Sequence, residues 1–147
     1  MILPVTLTIA AAAAVINLWL AFRIVPRRIK GGPLTGDGGE PRMMARMRAH
    51  ANFVEYAPFV LILMALIELA GGRATWLWIV GVVFVVARVL HGFGMDATKP
   101  NPLRAAGALV TWLVLAVLAG WALVIAQGGG TGRPTRIIPF DFTEPRG

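Results

Sequence analysis

Arg48, Asn52 and Glu55 stand at i, i+4 and i+7 within a stretch that is otherwise largely apolar. On an α-helix that spacing sets them within about 60° of one another, on one face. Tyr56 flanks the same stripe. A guanidinium, an amide, a carboxylate and a phenol along one side suit a small zwitterionic ligand. Arginine forks take carboxylates through paired hydrogen bonds, and a carboxylate takes an α-ammonium. Arg104 opens a later apolar run, where its charge and a helix N-terminus would stabilise a nearby thiolate. His91 closes the run between them. A structural alternative is that Glu55 pairs with Arg88 and locks helices together. That pairing covers two charges and leaves Arg48, Asn52, His91 and Arg104, all near the same ends of their segments, without a reason.

Other chemistries are excluded by residue type. The chain has no cysteine, so it holds neither a disulfide nor a cysteine nucleophile, and any thiol must arrive with a substrate. No second histidine or carboxylate stands at ligand spacing from His91, which argues against a metal site. No Ser-His-Asp or other nucleophile–base pair is apparent. The Gly36-Asp37-Gly38-Gly39 stretch lacks the spaced carboxylates of a calcium loop and the lysine of a phosphate loop, and is expected to be a turn.

The elements that position these residues follow from composition. In 147 residues there is room for one domain. Apolar residues make up 57% and charged residues 14%, against about 25% charged in soluble domains, so lipid must solvate most of the surface. The expected fold is all-α, a bundle of four transmembrane helices over about residues 2–25, 42–70, 75–95 and 103–127, with a Gly/Pro-rich tail over 128–147. The first run has no basic leader or small-residue cleavage site and is expected to be a retained helix, with Asn17 making an interhelical hydrogen bond. The second run exceeds the length needed to cross a hydrocarbon core of about 30 Å, and Pro58 is a candidate kink.

The net charge of +7 is concentrated in Arg27, Arg28, Lys30, Arg42, Arg46 and Arg48, between the first two runs. This is the pattern of a cytoplasmic loop, and no aromatic residues interleave it as a nucleic-acid surface would require. Gly71-Gly72-Arg73 reads as an outward turn, with Trp76, Trp78 and Trp121 at the interface. Glu68 is expected to snorkel or pair with Arg73. Asp96 to Pro102 forms the second inner loop, and both termini lie outside. Ile137, Ile138, Phe140 and Phe142 in the tail could touch the bilayer surface, form a local crossing or stay disordered.

The segment Arg48-Ala-His-Ala-Asn52-Phe-Val-Glu55-Tyr56-Ala-Pro58 resembles the signature of the MAPEG family, the membrane-associated proteins in eicosanoid and glutathione metabolism. That family includes leukotriene C4 synthase and the microsomal glutathione transferases. The resemblance covers about the first 127 residues and is nearest to a bacterial branch that shares the Gly-Asp-Gly-Gly loop. It implies a homotrimer in a bacterial inner membrane, with glutathione bound as co-substrate between subunits near the cytoplasmic side. By the same resemblance, Arg48, Asn52, Glu55 and Tyr56 would contact glutathione, with His91 lining the site. Arg28, or Arg27 beside it, would reach a carboxylate, and Arg104 would stabilise the thiolate. His50 stands where the synthases have a glutamine contact. His91 and Met95 stand where leukotriene C4 synthase has tyrosines.

The expected function is therefore a glutathione-dependent membrane transferase or peroxidase acting on a small lipophilic electrophile that enters from lipid. The alternative is a non-catalytic membrane assembly or lipid-binding protein that keeps the fold. A transporter fits less well, because the chain shows no internal repeat or paired broken helices.

Overall fold

The computed structural model describes residues 2–97 and 101–129. Most of the tail discussed above lies outside the described residues. Five helices account for most of the described residues: α1 (Pro4–Phe22), α2 (Val25–Ile29), α3 (Pro41–Leu69), α4 (Ala74–Gly94) and α5 (Pro102–Gly129). Four are long and apolar enough to cross a membrane, with α2 extending the first of them. They run alternately up and down, so the Arg-rich α1–α3 connection and the α4–α5 connection share one end of the bundle, here termed the basic end.

Local chemistry explains the boundaries. α1 stops at Phe22, short of the expected residue 25, because Pro26 has no N–H to give the Phe22 carbonyl and its ring crowds that oxygen. The chain restarts as the single turn α2. Gly36, Gly38 and Gly39 all take positive φ in the following loop, and Asp37 accepts the Gly39 N–H, so Gly-Asp-Gly-Gly is a turn. α3 continues unbroken through Pro58. It ends in a Schellman closure: Gly71 at φ +78° donates to Glu68 O, and Gly72 donates to Ile67 O.

Glu68 neither snorkels nor pairs with Arg73. Its carboxylate accepts the backbone N–H groups of Val5 (3.0 Å) and Thr6 (2.8 Å), capping α1 from the neighbouring helix. The first N–H groups of α1 have no intrahelical partner, and the positive end of a helix attracts an anion. Asn17 makes the interhelical bond expected of it, with His50 Nε2 donating to its Oδ1 at 2.9 Å.

The core is a column of side chains from all four spans, including Ile9, Leu20, Val60, Met64, Phe84 and Leu118. Only 17–44% of each span's apolar window is buried, which leaves the rest to lipid or to other chains. Lipid tails are as apolar as leucine, so close packing rather than hydrophobic exclusion holds such helices together. The closest approach is between α4 and α5. A methyl on Gly107 would stand 2.7 Å from the Ala87 carbonyl oxygen and 2.7 Å from His91 Cβ. Gly107→Ala should therefore force α5 outward and cost about 1–3 kcal/mol, seen as a lowered unfolding midpoint in mild detergent.

Candidate functional site

At the basic end a groove of about 770 Å³ opens between α3 on one side and α4 and α5 on the other. Arg48 and Asn52 face it from α3, His91 from α4, and Arg104 from the first turn of α5. Four residues singled out by type and spacing thus converge, although they lie up to 56 positions apart in sequence. Met44, Met95 and Trp112 supply apolar wall. A second hollow of about 550 Å³, at the opposite end, carries Arg73 among otherwise apolar lining such as Trp76, Val80 and Trp121. It lacks the convergent polar groups that mark a binding site.

The polar stripe on α3 divides. Arg48 and Asn52 turn to the groove, whereas Glu55 is exposed on the outer surface of the bundle midway along α3, and Tyr56 is half-buried. Among the described residues Glu55 and Arg48 form no ion pair. The Glu55–Arg88 pairing does not occur. Arg88 is 1% exposed; its Nη2 donates to Asn52 Oδ1 (3.0 Å), its Nη1 to Thr111 Oγ1 (3.3 Å), and its guanidinium lies over the Phe53 ring. Its Nε has no partner among the described residues. The reason is rotational: Asn52 sits on the side of α3 that meets α4, and Glu55 has rotated past it.

Arg88 fixes the Asn52 amide. With Oδ1 occupied by the guanidinium, the amide N–H₂ is left as Asn52's contribution to the groove. His91 is fixed as well, since its Nδ1 donates to the Arg104 backbone carbonyl at 3.0 Å. The Arg104 guanidinium itself has no partner among the described residues and remains exposed. Arg28 lies outside the groove on α2, donating to the Leu34 carbonyl, and Arg27 is engaged by Glu40 at 2.5 Å. His50 is turned to α1 and away from the groove.

Sequence patterning missed the clasp that closes the basic end. Asp96 pairs with Arg23 at the end of α1 and with Arg46 of α3 (2.9 Å). Arg46 also donates to the Arg23 carbonyl, and Arg23 to the Gly92 carbonyl at 2.9 Å while stacking over Trp19. One carboxylate therefore ties three spans beside the groove. The available signal was an acid in the short α4–α5 connection at an end rich in arginine.

Burial alone would raise the Asp96 carboxyl, but hydrogen bonds from Arg46 and Arg23, and their charges, outweigh it and hold the group below the ordinary carboxylate value. A depressed folded-state pKa stabilises the fold above the unfolded value of about 3.9 and is lost as pH falls from there through the folded value. Thermal stability in detergent should thus drop below about pH 4. Asp96→Asn should remove that part of the drop and cost about 1–2 kcal/mol at neutral pH.

The MAPEG family model matches residues 6–124. "Inner membrane protein YecN" of Escherichia coli strain K12 is 31% identical over 124 residues, covering 80% of this chain and 94% of that protein. The protein of the same name from Escherichia coli O6:H1 strain CFT073 matches to the same extent. The four apolar spans and these inner-membrane relatives place the chain in a bacterial inner membrane. The groove, the four-span bundle and these matches agree: the chain belongs to the MAPEG family.

Proposed function

We propose that the protein is a glutathione-dependent transferase or peroxidase that acts on a lipophilic electrophile at the bilayer boundary. The observation that carries this reading is the convergence of Arg48, Asn52, His91 and Arg104 in one groove at the basic end. Glutathione offers carboxylates at both ends, an α-ammonium and a thiol. Two guanidinia without carboxylate partners among the described residues, Arg48 and Arg104, and the Asn52 amide suit such an anion by charge and by hydrogen bonding. The groove volume also falls in the range of small-molecule sites.

The remaining recognition residues are supplied by assembly. An ionised Glu55 midway along a spanning helix is costly against lipid, by about 2.5 kcal/mol or more. A homotrimer in which α3 meets a neighbouring copy covers Glu55 and Tyr56, and brings a neighbour's Arg28 to the ligand. Glu55 then takes the α-ammonium and Arg28 a carboxylate. The basic end faces the cytoplasm and both termini lie outside, consistent with the positive-inside rule.

In this site glutathione supplies the nucleophile, and Arg104 stabilises its thiolate, bringing the thiol from a pKa of about 8.5 toward neutrality. The small hydrophobic co-substrate enters laterally from lipid. The test is turnover. Purified protein in lipid nanodiscs should consume glutathione with a lipophilic halogenated arene or a lipid hydroperoxide. Absence of turnover with every electrophile of both classes would favour a non-catalytic assembly or lipid-binding protein.

A further inference from the structure

The geometry points to His91 as the general base that takes the proton from the thiol bound in the groove. This rests on the glutathione reading above and deepens it: charge from Arg104 explains why a thiolate is stable, but not where its proton goes. Among the described residues lining the groove, His91 alone can accept a proton at neutral pH. Arg48 and Arg104 are permanently protonated, and Asn52 and Asn101 are amides without basic nitrogen. Glu55 and Tyr56 do not line it, and in the proposed trimer Glu55 is taken by the ligand's α-ammonium rather than its thiol.

The imidazole is also held in the tautomer the task needs. A backbone carbonyl only accepts, so the 3.0 Å contact with the Arg104 carbonyl makes Nδ1 the donor. In the neutral ring the lone pair is then on Nε2. Among the described residues Nε2 has no hydrogen-bond partner, although the residue is only 5% exposed and lines the groove. A buried ring in the wall of a groove, anchored through one nitrogen and leaving the other without a partner among the described residues, is the arrangement of an oriented general base. The same backbone carbonyl belongs to the residue whose guanidinium stabilises the thiolate, so base and cation are registered to each other through one residue.

In the step, the S–H bond breaks, its proton bonds to Nε2, and the sulfur keeps the electron pair as thiolate. That pair then forms the bond to the electrophilic carbon. Where a halide is displaced, it leaves with its bonding pair and the imidazolium later gives its proton to solvent. Where an activated double bond is attacked, the imidazolium returns the proton to the adjacent carbon. No further oxidant or reductant enters.

The test uses His91→Asn in the full-length protein in nanodiscs. The asparagine amide can keep a hydrogen bond to the Arg104 carbonyl while removing the basic nitrogen. Stopped-flow absorbance reports thiolate formation with glutathione, and equilibrium titration reports its affinity. We expect thiolate formation to slow by about 10²-fold with affinity within about threefold, and added imidazole to restore the rate in the variant but not in the wild type. A variant as fast as wild type overturns the role of His91. So does a slow variant that imidazole fails to restore, or one whose affinity has fallen in proportion, since either makes the residue structural. If wild-type protein itself forms no thiolate, the glutathione reading fails first and takes this proposal with it.

Discussion

Arg104→Ala is expected to lower kcat for glutathione conjugation by about 10²–10³-fold, with the bundle still folded. That magnitude is what removal of one donor from a developing anion costs in a preorganised site. Arg104 sits in the first turn of α5, exposed, so truncation breaks no hydrogen bond or ion pair among the described residues. The interaction with His91 uses the backbone carbonyl of residue 104 and survives the change. The unfolding midpoint should accordingly move little, by an amount equivalent to about 0.5 kcal/mol or less. Arg104→Lys keeps the charge but not the planar fork, and should recover only part of the rate. Steady-state kinetics with thermal unfolding on the same samples checks both statements. A full-rate Arg104→Ala variant would remove Arg104 from the chemistry.

Arg88→Met is expected to separate stability from binding. Among the described residues Arg88 is a buried cation without an ion pair, holding Asn52 and Thr111 while its Nε stays unsatisfied. Replacing buried ionic groups by an apolar side chain of similar reach is often neutral or stabilising, by about 1–4 kcal/mol. Thr111 keeps its own bond to the Gly107 carbonyl at 2.7 Å, so it is not orphaned. Asn52, by contrast, loses the donor that orients its amide toward the groove. Glutathione affinity should then fall about tenfold, corresponding to about 1.4 kcal/mol, while the unfolding midpoint holds or rises. Arg88→Ala is the contrasting variant, since it leaves a void and should cost about 2–5 kcal/mol. If Arg88→Met unfolds the protein, the guanidinium is needed for the fold. If it binds glutathione normally, Asn52 does not depend on it.

Much of the molecule was legible from residue type and spacing, for a physical reason. A span needs about 20 apolar residues, and nothing else in a chain this short mimics that signal. The polar stripe on α3 was visible for the same reason, because charge is expensive in lipid. Periodicity gives a residue's face on its own helix, not the residue that stands opposite. From periodicity, pairing with Glu55 is thus only an alternative for Arg88, which meets Asn52 and Thr111, and snorkelling or pairing with Arg73 is the expectation for Glu68, which caps α1. The Asp96 clasp joins Arg23 and Arg46, 73 and 50 positions away, and no local pattern encodes such a pairing. His91 could be named from sequence as a residue of the site. Its tautomer became definable only when the Arg104 carbonyl was found against Nδ1.

The direct test of the glutathione site is a titration of the wild-type protein, in nanodiscs, with glutathione at neutral pH. Binding and thiolate absorbance are followed together, with S-methylglutathione as the control that cannot ionise. The expected result is saturable binding at or below millimolar concentration, a thiolate signal from glutathione alone, and loss of both affinities in Arg48→Ala. Protein that binds neither ligand at millimolar concentration, or binds glutathione without lowering its thiol pKa, would contradict a catalytic glutathione site in this groove.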